Sequence, residues 1–161
     1  MKLISTRSKS PLSIAIRWLF RENCSHFAIV FDDCFLVQSN LLGVGMDWWA
    51  AVEKSHVIVD TIDVPLAADT EDKLWKSILD GTAHLPYDFG GFAYLGYRGL
   101  LLHFFKKPMP LRNKWAKSNQ YMCMEMARLL SDYVKLPDDR DLAIVTPAKL
   151  FQFWKDHGVN K

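Results

Sequence analysis

The chain has 161 residues, of which 50% are hydrophobic and 24% charged, so it can bury a substantial core as one domain spanning residues 1–161. Its 20 Lys and Arg residues nearly balance 18 Asp and Glu and are scattered along the sequence, which argues against binding to nucleic acid. The longest apolar stretches are too short for a membrane span, so no integral membrane segment is expected.

The cysteines and the N-terminal stretch indicate a compartment. Cys24, Cys34 and Cys123 make an odd, widely spaced set, which argues against a disulfide framework and for a reducing environment. The N-terminal stretch is basic, and its apolar run is short and interrupted by Arg17 and Arg21. It also lacks a small-residue cleavage site, so no signal peptide is predicted. We therefore expect a cytoplasmic protein, which would reach the outside only through lysis or a secretion system.

The N-terminal half predicts one helix and then a sheet. Ser10 and Pro11 are typical of an N-cap and first turn, and the helix that they begin should end near Arg21, before the sheet. HFAIVF and CFLVQS are β-rich runs separated by Asp32 and Asp33, which predicts a β-hairpin. Further strands are expected around LLGVGM and in SHVIVDTIDVPL.

After these strands the hydrophobic period lengthens to that of helices. EDKLWKSILDG should form a helix capped by Asp69 or Thr70 and closed by Gly81. PYDFGGFAYLGYRGLLLHFFKK begins with a glycine-rich turn and should continue as helix until Pro108 and Pro110.

Two more helices are expected near the C-terminus. Asn119 or Ser118 should cap a helix that carries Cys123, and TPAKLFQFWKDHG should form the last helix with Pro147 in its first turn. The predicted fold class is therefore α+β, with a small antiparallel sheet of at least four strands flanked by helices.

Cys123 stands near the predicted start of its helix, where the macrodipole and free N–H groups favour a thiolate. A cysteine hydrolase also needs an imidazole and a polar group that orients it. His26 opens the first hairpin strand and Gln38 lies in the second. Counting outward from the turn places residues 27 and 38 opposite each other, so His26 and Gln38 are nearly opposite or diagonal neighbours and a contact between their side chains is geometrically possible.

Other interpretations of these residues stay open. Cys123 in a Met-rich helix is also typical of a core residue. His56 is the alternative base, and Ser39 and Asn40 are alternatives to Gln38. The Trp48-Trp49 pair should belong to the core or to a pocket wall. A zinc site can be drawn from Cys24, His26, Cys34 and Cys123, but the spacing fits no compact zinc signature, so neither a metal nor another cofactor is predicted.

The segments SHFAIVF, the hairpin return ending in Gln38, PYDFGG and YMCMEMARLL resemble the circularly permuted branch of the NlpC-type papain-fold cysteine hydrolases. That branch also contains the lecithin:retinol acyltransferase relatives, and in it the histidine strand precedes the cysteine helix. The resemblance covers nearly the whole domain and implies a permuted papain-like fold.

The resemblance also implies roles for individual residues. By this resemblance Cys123 would be the nucleophile, His26 the base and Gln38 the group that orients the base. Tyr87 would line the site and help to stabilise the oxyanion. Glu125 would be an acidic residue that is structural or faces the substrate. The backbone N–H of Cys123 would be the other oxyanion donor. Met124 departs from the family pattern, which often has Ser after the cysteine, and this changes the expected pocket.

The expected activity is that of a cysteine peptidase, amidase or acyltransferase that works through an acyl-enzyme. Its substrate would contain an amide or ester, such as a cell-wall peptide, a lipid acyl group or a protein side chain. The alternative is a non-catalytic binding or assembly module on the same fold.

Overall fold

A computed structural model describes residues 1–82, 85–110, 112–115, 119–136 and 144–159. Five strands form one antiparallel sheet in the order β4-β3-β2-β1-β5, and helices pack around it, which confirms the predicted α+β class. The strands are β1 Lys2–Arg7, β2 His26–Phe31, β3 Phe35–Asn40, β4 Gly43–Trp48 and β5 Val57–Asp63. The helices are α1 Pro11–Phe20, α2 Trp49–Ser55, α3 Ala68–Thr82, α4 Phe89–Phe105, a 3₁₀ helix Cys123–Leu130, here called the cysteine helix, and α5 Pro147–His157.

Strand β1 is an element that the sequence analysis missed. It lies between β2 and β5, so the expectation that the first helix precedes the sheet is wrong. Leu3 and Ile4 are fully buried on its two faces, while Ser5 and Thr6 are buried polar residues in the same strand. Because four of the six residues of this strand are polar, it lacks the clear pattern of a strand.

The β2–β3 hairpin confirms the predicted elements but corrects their register. Residues 32–34 form the turn, since Phe31 pairs with Phe35. Ala28 therefore faces Gln38, and the predicted pairing of residues 27 and 38 is wrong by one position. His26 lies two residues along β2 from Ala28 on the same face, diagonal to Gln38.

The sheet separates two clusters of buried residues. On one side, α3, the cysteine helix and α5 cover the larger cluster, which includes Phe27, Met126 and Trp154. On the other side, α2 covers a smaller one. Trp49 packs on this smaller cluster, whereas Trp48 is 66% exposed and lies against the ring of Phe35.

The helix ends differ from the predictions in detail. Helix α3 begins at Ala68, so Asp69 and Thr70 lie in its first turn rather than at its cap, and it continues through Gly81. The cysteine helix begins at Cys123 with Met122 at the N-cap position.

Asn119 is therefore not the cap of the cysteine helix, and Ser118 lies outside the described residues. The predicted boundaries at Ser10, at Pro147 and before Pro108 are confirmed. No helix within the described ranges is both long and apolar enough to cross a membrane.

Candidate active site

A cavity of about 310 Å³ brings together four of the predicted site residues. Cys123, His26, Gln38 and Tyr87 all line it. Apolar side chains from α1 and α4 also line it, namely Leu12, Ile16, Phe20, Phe92 and Leu95. Elements far apart in the sequence thus place a thiol, an imidazole, an amide and a phenol around one partly apolar space.

Glu125 holds the start of the cysteine helix. Its Oε2 accepts a hydrogen bond from the backbone N–H of Met122 at 2.9 Å, and its own N–H donates to the Met122 carbonyl at 3.0 Å. The side chain is buried, and Arg128 Nη1 lies 3.5 Å from Oε1. This geometry favours the structural interpretation of Glu125, because the carboxylate fixes the backbone that presents Cys123.

The surroundings of the Cys123 sulfur oppose a standing thiolate. Burial raises the pKa of the Cys123 thiol to about 11, although the backbone N–H groups of Phe27, Met124 and Cys123 itself act in the lowering direction. This upward direction is opposite to the one that the helix N-terminus alone would give. The helix N-terminus does contribute, but removal of the sulfur from water outweighs it.

A chain of hydrogen bonds joins three strands behind the imidazole. The Nε2 atom of His26 lies 2.7 Å from Oε1 of Gln38, and Nε2 of Gln38 donates to Oδ2 of Asp47 at 2.6 Å. The register explains the chain. Gln38 lies between the small residues Ala28 and Gly45, so its side chain can reach the diagonal neighbours on both adjacent strands.

This chain sets the tautomer of the imidazole. A carboxylate only accepts hydrogen bonds, so Asp47 requires the amide NH₂ of Gln38 and turns the amide oxygen toward His26. An amide oxygen also only accepts, so Nε2 of His26 carries the proton. In the neutral imidazole the free lone pair is then on Nδ1, which is the atom available as a base.

The pKa of His26 is consistent with a neutral base. Burial lowers it to about 4, and the nearby His56 acts in the same direction, while Gln38 and Asp47 act against them. The sequence analysis identified His26 and Gln38 but missed Asp47. A signal was present, since Asp47 is an acidic residue in an otherwise apolar strand.

Tyr87 reaches the cavity from the segment before α4. It forms a parallel bridge with Tyr121, two residues before Cys123, so the two segments run side by side. Burial raises the pKa of the Tyr87 phenol above its usual range, and the Cys123 thiol contributes in the same direction. The phenol therefore stays protonated and can donate a hydrogen bond.

Gly43 allows this segment to approach β4. Its φ is +112°, and a Cβ atom there would lie 2.4 Å from the Leu85 carbonyl oxygen. The same carbonyl accepts a hydrogen bond from Val44 N–H at 2.9 Å. A side chain at position 43 would therefore displace the segment that carries Tyr87.

The alternative site residues have other partners. The Ser39 hydroxyl donates to the Tyr121 carbonyl at 2.5 Å, and Asn40 Oδ1 accepts from Leu42 N–H at 2.8 Å. His56 also lines the cavity, with its Nδ1 2.9 Å from Ser55 Oγ. Of the candidate orienters, Gln38 is the one bonded to His26.

The zinc alternative has no support from the geometry. All three cysteines are free: Cys24 is buried, Cys34 is exposed in the hairpin turn, and Cys123 is half-buried. Within the part of the chain that the structure describes, no three His, Cys, Asp or Glu side chains come close enough to hold a metal ion.

Comparisons with known protein families, with curated proteins and with solved structures found no match for this chain.

Proposed function

We propose that the protein is a cysteine hydrolase or acyltransferase with a permuted papain-like arrangement, in which Cys123 is the nucleophile and His26 is the base. The observation that carries the proposal is the His26–Gln38–Asp47 chain, which leaves Nδ1 as the basic atom of an imidazole that lines the same cavity as the Cys123 thiol. If His26 only filled space on the hairpin, its tautomer would not need to be fixed by the carboxylate of Asp47, which lies two strands away.

The reaction begins with a neutral thiol and a neutral imidazole. As the Cys123 sulfur attacks the carbonyl carbon of an amide or ester, Nδ1 of His26 takes the thiol proton, so deprotonation accompanies attack. The carbonyl electrons move to oxygen, where the backbone N–H of Cys123 and the phenol of Tyr87 can donate hydrogen bonds.

Collapse of this intermediate breaks the bond to the leaving group, which takes the proton from His26. The product is a thioester on Cys123. Water or another acceptor then attacks the thioester, again losing its proton to Nδ1 of His26, and the acid or the acylated acceptor leaves with the thiol restored. The cycle requires no metal or redox group.

The proposal is tested with a small activated ester, p-nitrophenyl acetate, on the whole chain. We expect intact mass spectrometry to show one acetyl group, mapped by proteolysis to Cys123, and a matching release of p-nitrophenolate. Cys123→Ser should abolish the adduct and His26→Ala should slow it at least tenfold. Cys34→Ser, which removes the exposed thiol, should leave it unchanged.

The raised thiol pKa favours one second candidate, a binding module in which Cys123 is a buried core thiol. This candidate predicts that the acetyl group is absent or lies on Cys34. It also predicts that His26→Ala leaves the reactivity of Cys123 unchanged.

A further inference from the structure

Exposed apolar side chains are concentrated in two segments, residues 1–21 and 89–124. The large hydrophobic residues exposed there are Leu12, Ile14, Trp18, Phe89, Tyr97, Leu100, Phe104, Phe105 and Trp115. In α4, Tyr97, Leu100 and Phe104 follow helical spacing and form one stripe, with exposures of 51%, 44% and 62%. Such a stripe on a helix surface marks an interaction site.

The charge of the same two segments is of one sign. They contain 11 of the 20 Lys and Arg residues and none of the 18 Asp and Glu residues. Along the sequence these basic residues are thus separated from the acidic ones, although Lys2 forms an ion pair with Asp33 in the fold and the net charge of the whole chain is only +2. The separation creates a local field that the net charge conceals.

Packing joins the two segments into one surface. Gly99 of α4 lies against α1 so closely that a Cβ there would be 2.7 Å from Leu19 Cδ2. The centroid of the Trp18 ring lies 4.4 Å from the centroid of the His103 ring and 6.2 Å from that of the Phe104 ring. We call the exposed side of this helix pair the α1–α4 face. At its end, the exposed Lys106 and Lys107 follow directly after Phe104 and Phe105.

We propose that the α1–α4 face docks on an anionic phospholipid bilayer, with its aromatic side chains among the headgroups and its lysines over the lipid phosphates. A surface that combines large apolar side chains with basic residues and lacks acidic ones fits this partner. Nucleic acid would use the charge but not the aliphatic Ile14 and Leu100, which cannot stack on bases.

Docking would bring the bilayer beside the cavity. Leu12 is exposed and also lines the cavity, and the same two helices supply Ile16, Phe20 and Phe92 to its wall. The inference does not depend on any reaction of Cys123, so it can fail or succeed independently of the proposed function.

The test is flotation of the full chain with vesicles of phosphatidylcholine alone or with about 30% phosphatidylserine. We expect flotation with the anionic vesicles and none with the neutral ones. Phe104→Ser with Phe105→Ser should abolish it. Lys106→Gln with Lys107→Gln should weaken it about 30-fold, because each basic residue near an anionic surface contributes about fivefold.

The matched control is Leu42→Ser with Trp48→Ser, which removes two apolar side chains that are at least 66% exposed and lie outside the face, and this variant should bind like the wild type. Circular dichroism would verify that every variant is folded. The proposal is overturned if anionic vesicles do not bind or if the control pair loses binding as much as the phenylalanine pair. It is also overturned if sedimentation shows a dimer that the phenylalanine substitutions dissociate, since a second copy would then cover the face.

Discussion

Asp47 controls the imidazole through Gln38, and the substitution Asp47→Asn tests this. The amide of Gln38 donates to Asp47 over 2.6 Å, and hydrogen bonds to a charged group are worth about 1.5–3 kcal/mol. An asparagine amide can donate as well as accept, so Gln38 could adopt either orientation and the proton of His26 would no longer be fixed on Nε2. When the two tautomers become comparable in amount, about half of the molecules have a free Nδ1, so the rate should fall about twofold.

The assay is the rate of acetylation of Cys123 by p-nitrophenyl acetate, followed by intact mass spectrometry. In parallel, ¹⁵N NMR of the His26 ring would report which nitrogen carries the proton. We expect Asp47→Asn to reduce the rate and to mix the two tautomers, and circular dichroism would verify that the variant is folded.

A second substitution separates positioning from a merely structural effect. In the Asp47→Asn background, Gln38→Glu places a carboxylate between His26 and the new amide, and it can accept from both. We expect this double variant to recover the wild-type rate and to restore the Nε2-protonated tautomer. If Asp47→Asn reacts like the wild type, or if Gln38→Glu deepens its loss, the reasoning about the tautomer is refuted.

Three further predictions concern stability. Gly43→Ala should lower the free energy of unfolding in urea by more than about 1 kcal/mol, because φ is +112° and the methyl group would meet the Leu85 carbonyl; Gly81→Ala, with open space around it, should have no such cost. Glu125→Ala should cost about 1 kcal/mol or more in the same measurement, while Glu125→Gln, which can still accept from Met122 N–H, should retain most of that stability. Stability measured against pH should fall from about pH 6.5 toward 4 and again from about pH 9 toward 11. As the pH falls, His26 gains its proton at a higher pH in the unfolded chain than in the folded protein. As the pH rises, Cys123 loses its proton at a lower pH in the unfolded chain than in the folded protein. This last prediction is contradicted if His26→Ala leaves the loss of stability between about pH 6.5 and 4 unchanged. It is also contradicted if Cys123→Ser leaves the loss between about pH 9 and 11 unchanged.

Much of the fold could be predicted because its signals are local. The hairpin turn, the Ser10 and Pro147 helix starts and the end of α4 before Pro108 each depend on a few adjacent residues. Strand β1 could not be found in this way, since Ser5 and Thr6 occupy buried positions where an apolar pattern is expected. Its place between β2 and β5 is set by pairing with these two strands and not by its own sequence.

The candidate site shows the same division between local and tertiary information. The contact between His26 and Gln38 was expected from a register that proved wrong by one residue, and it survived because diagonal neighbours on adjacent strands also come within reach. The acidic side chain of Asp47 in an apolar strand marks the position, but its role depends on the pairing of β4 with β3 and on the small residues that flank Gln38.

The state of the Cys123 thiol depends on the balance of two effects of different range. The helix N-terminus is readable from sequence and lowers the pKa of the thiol, while the desolvation that raises this pKa comes from burial in the tertiary fold. A thiol kept neutral in this way needs a base that is already in its deprotonated, correctly oriented form when a carbonyl arrives. The low pKa of His26 supplies the first condition and the Gln38–Asp47 pair supplies the second, so the two unusual pKa values are consistent with one mechanism in which the proton moves as the bond forms.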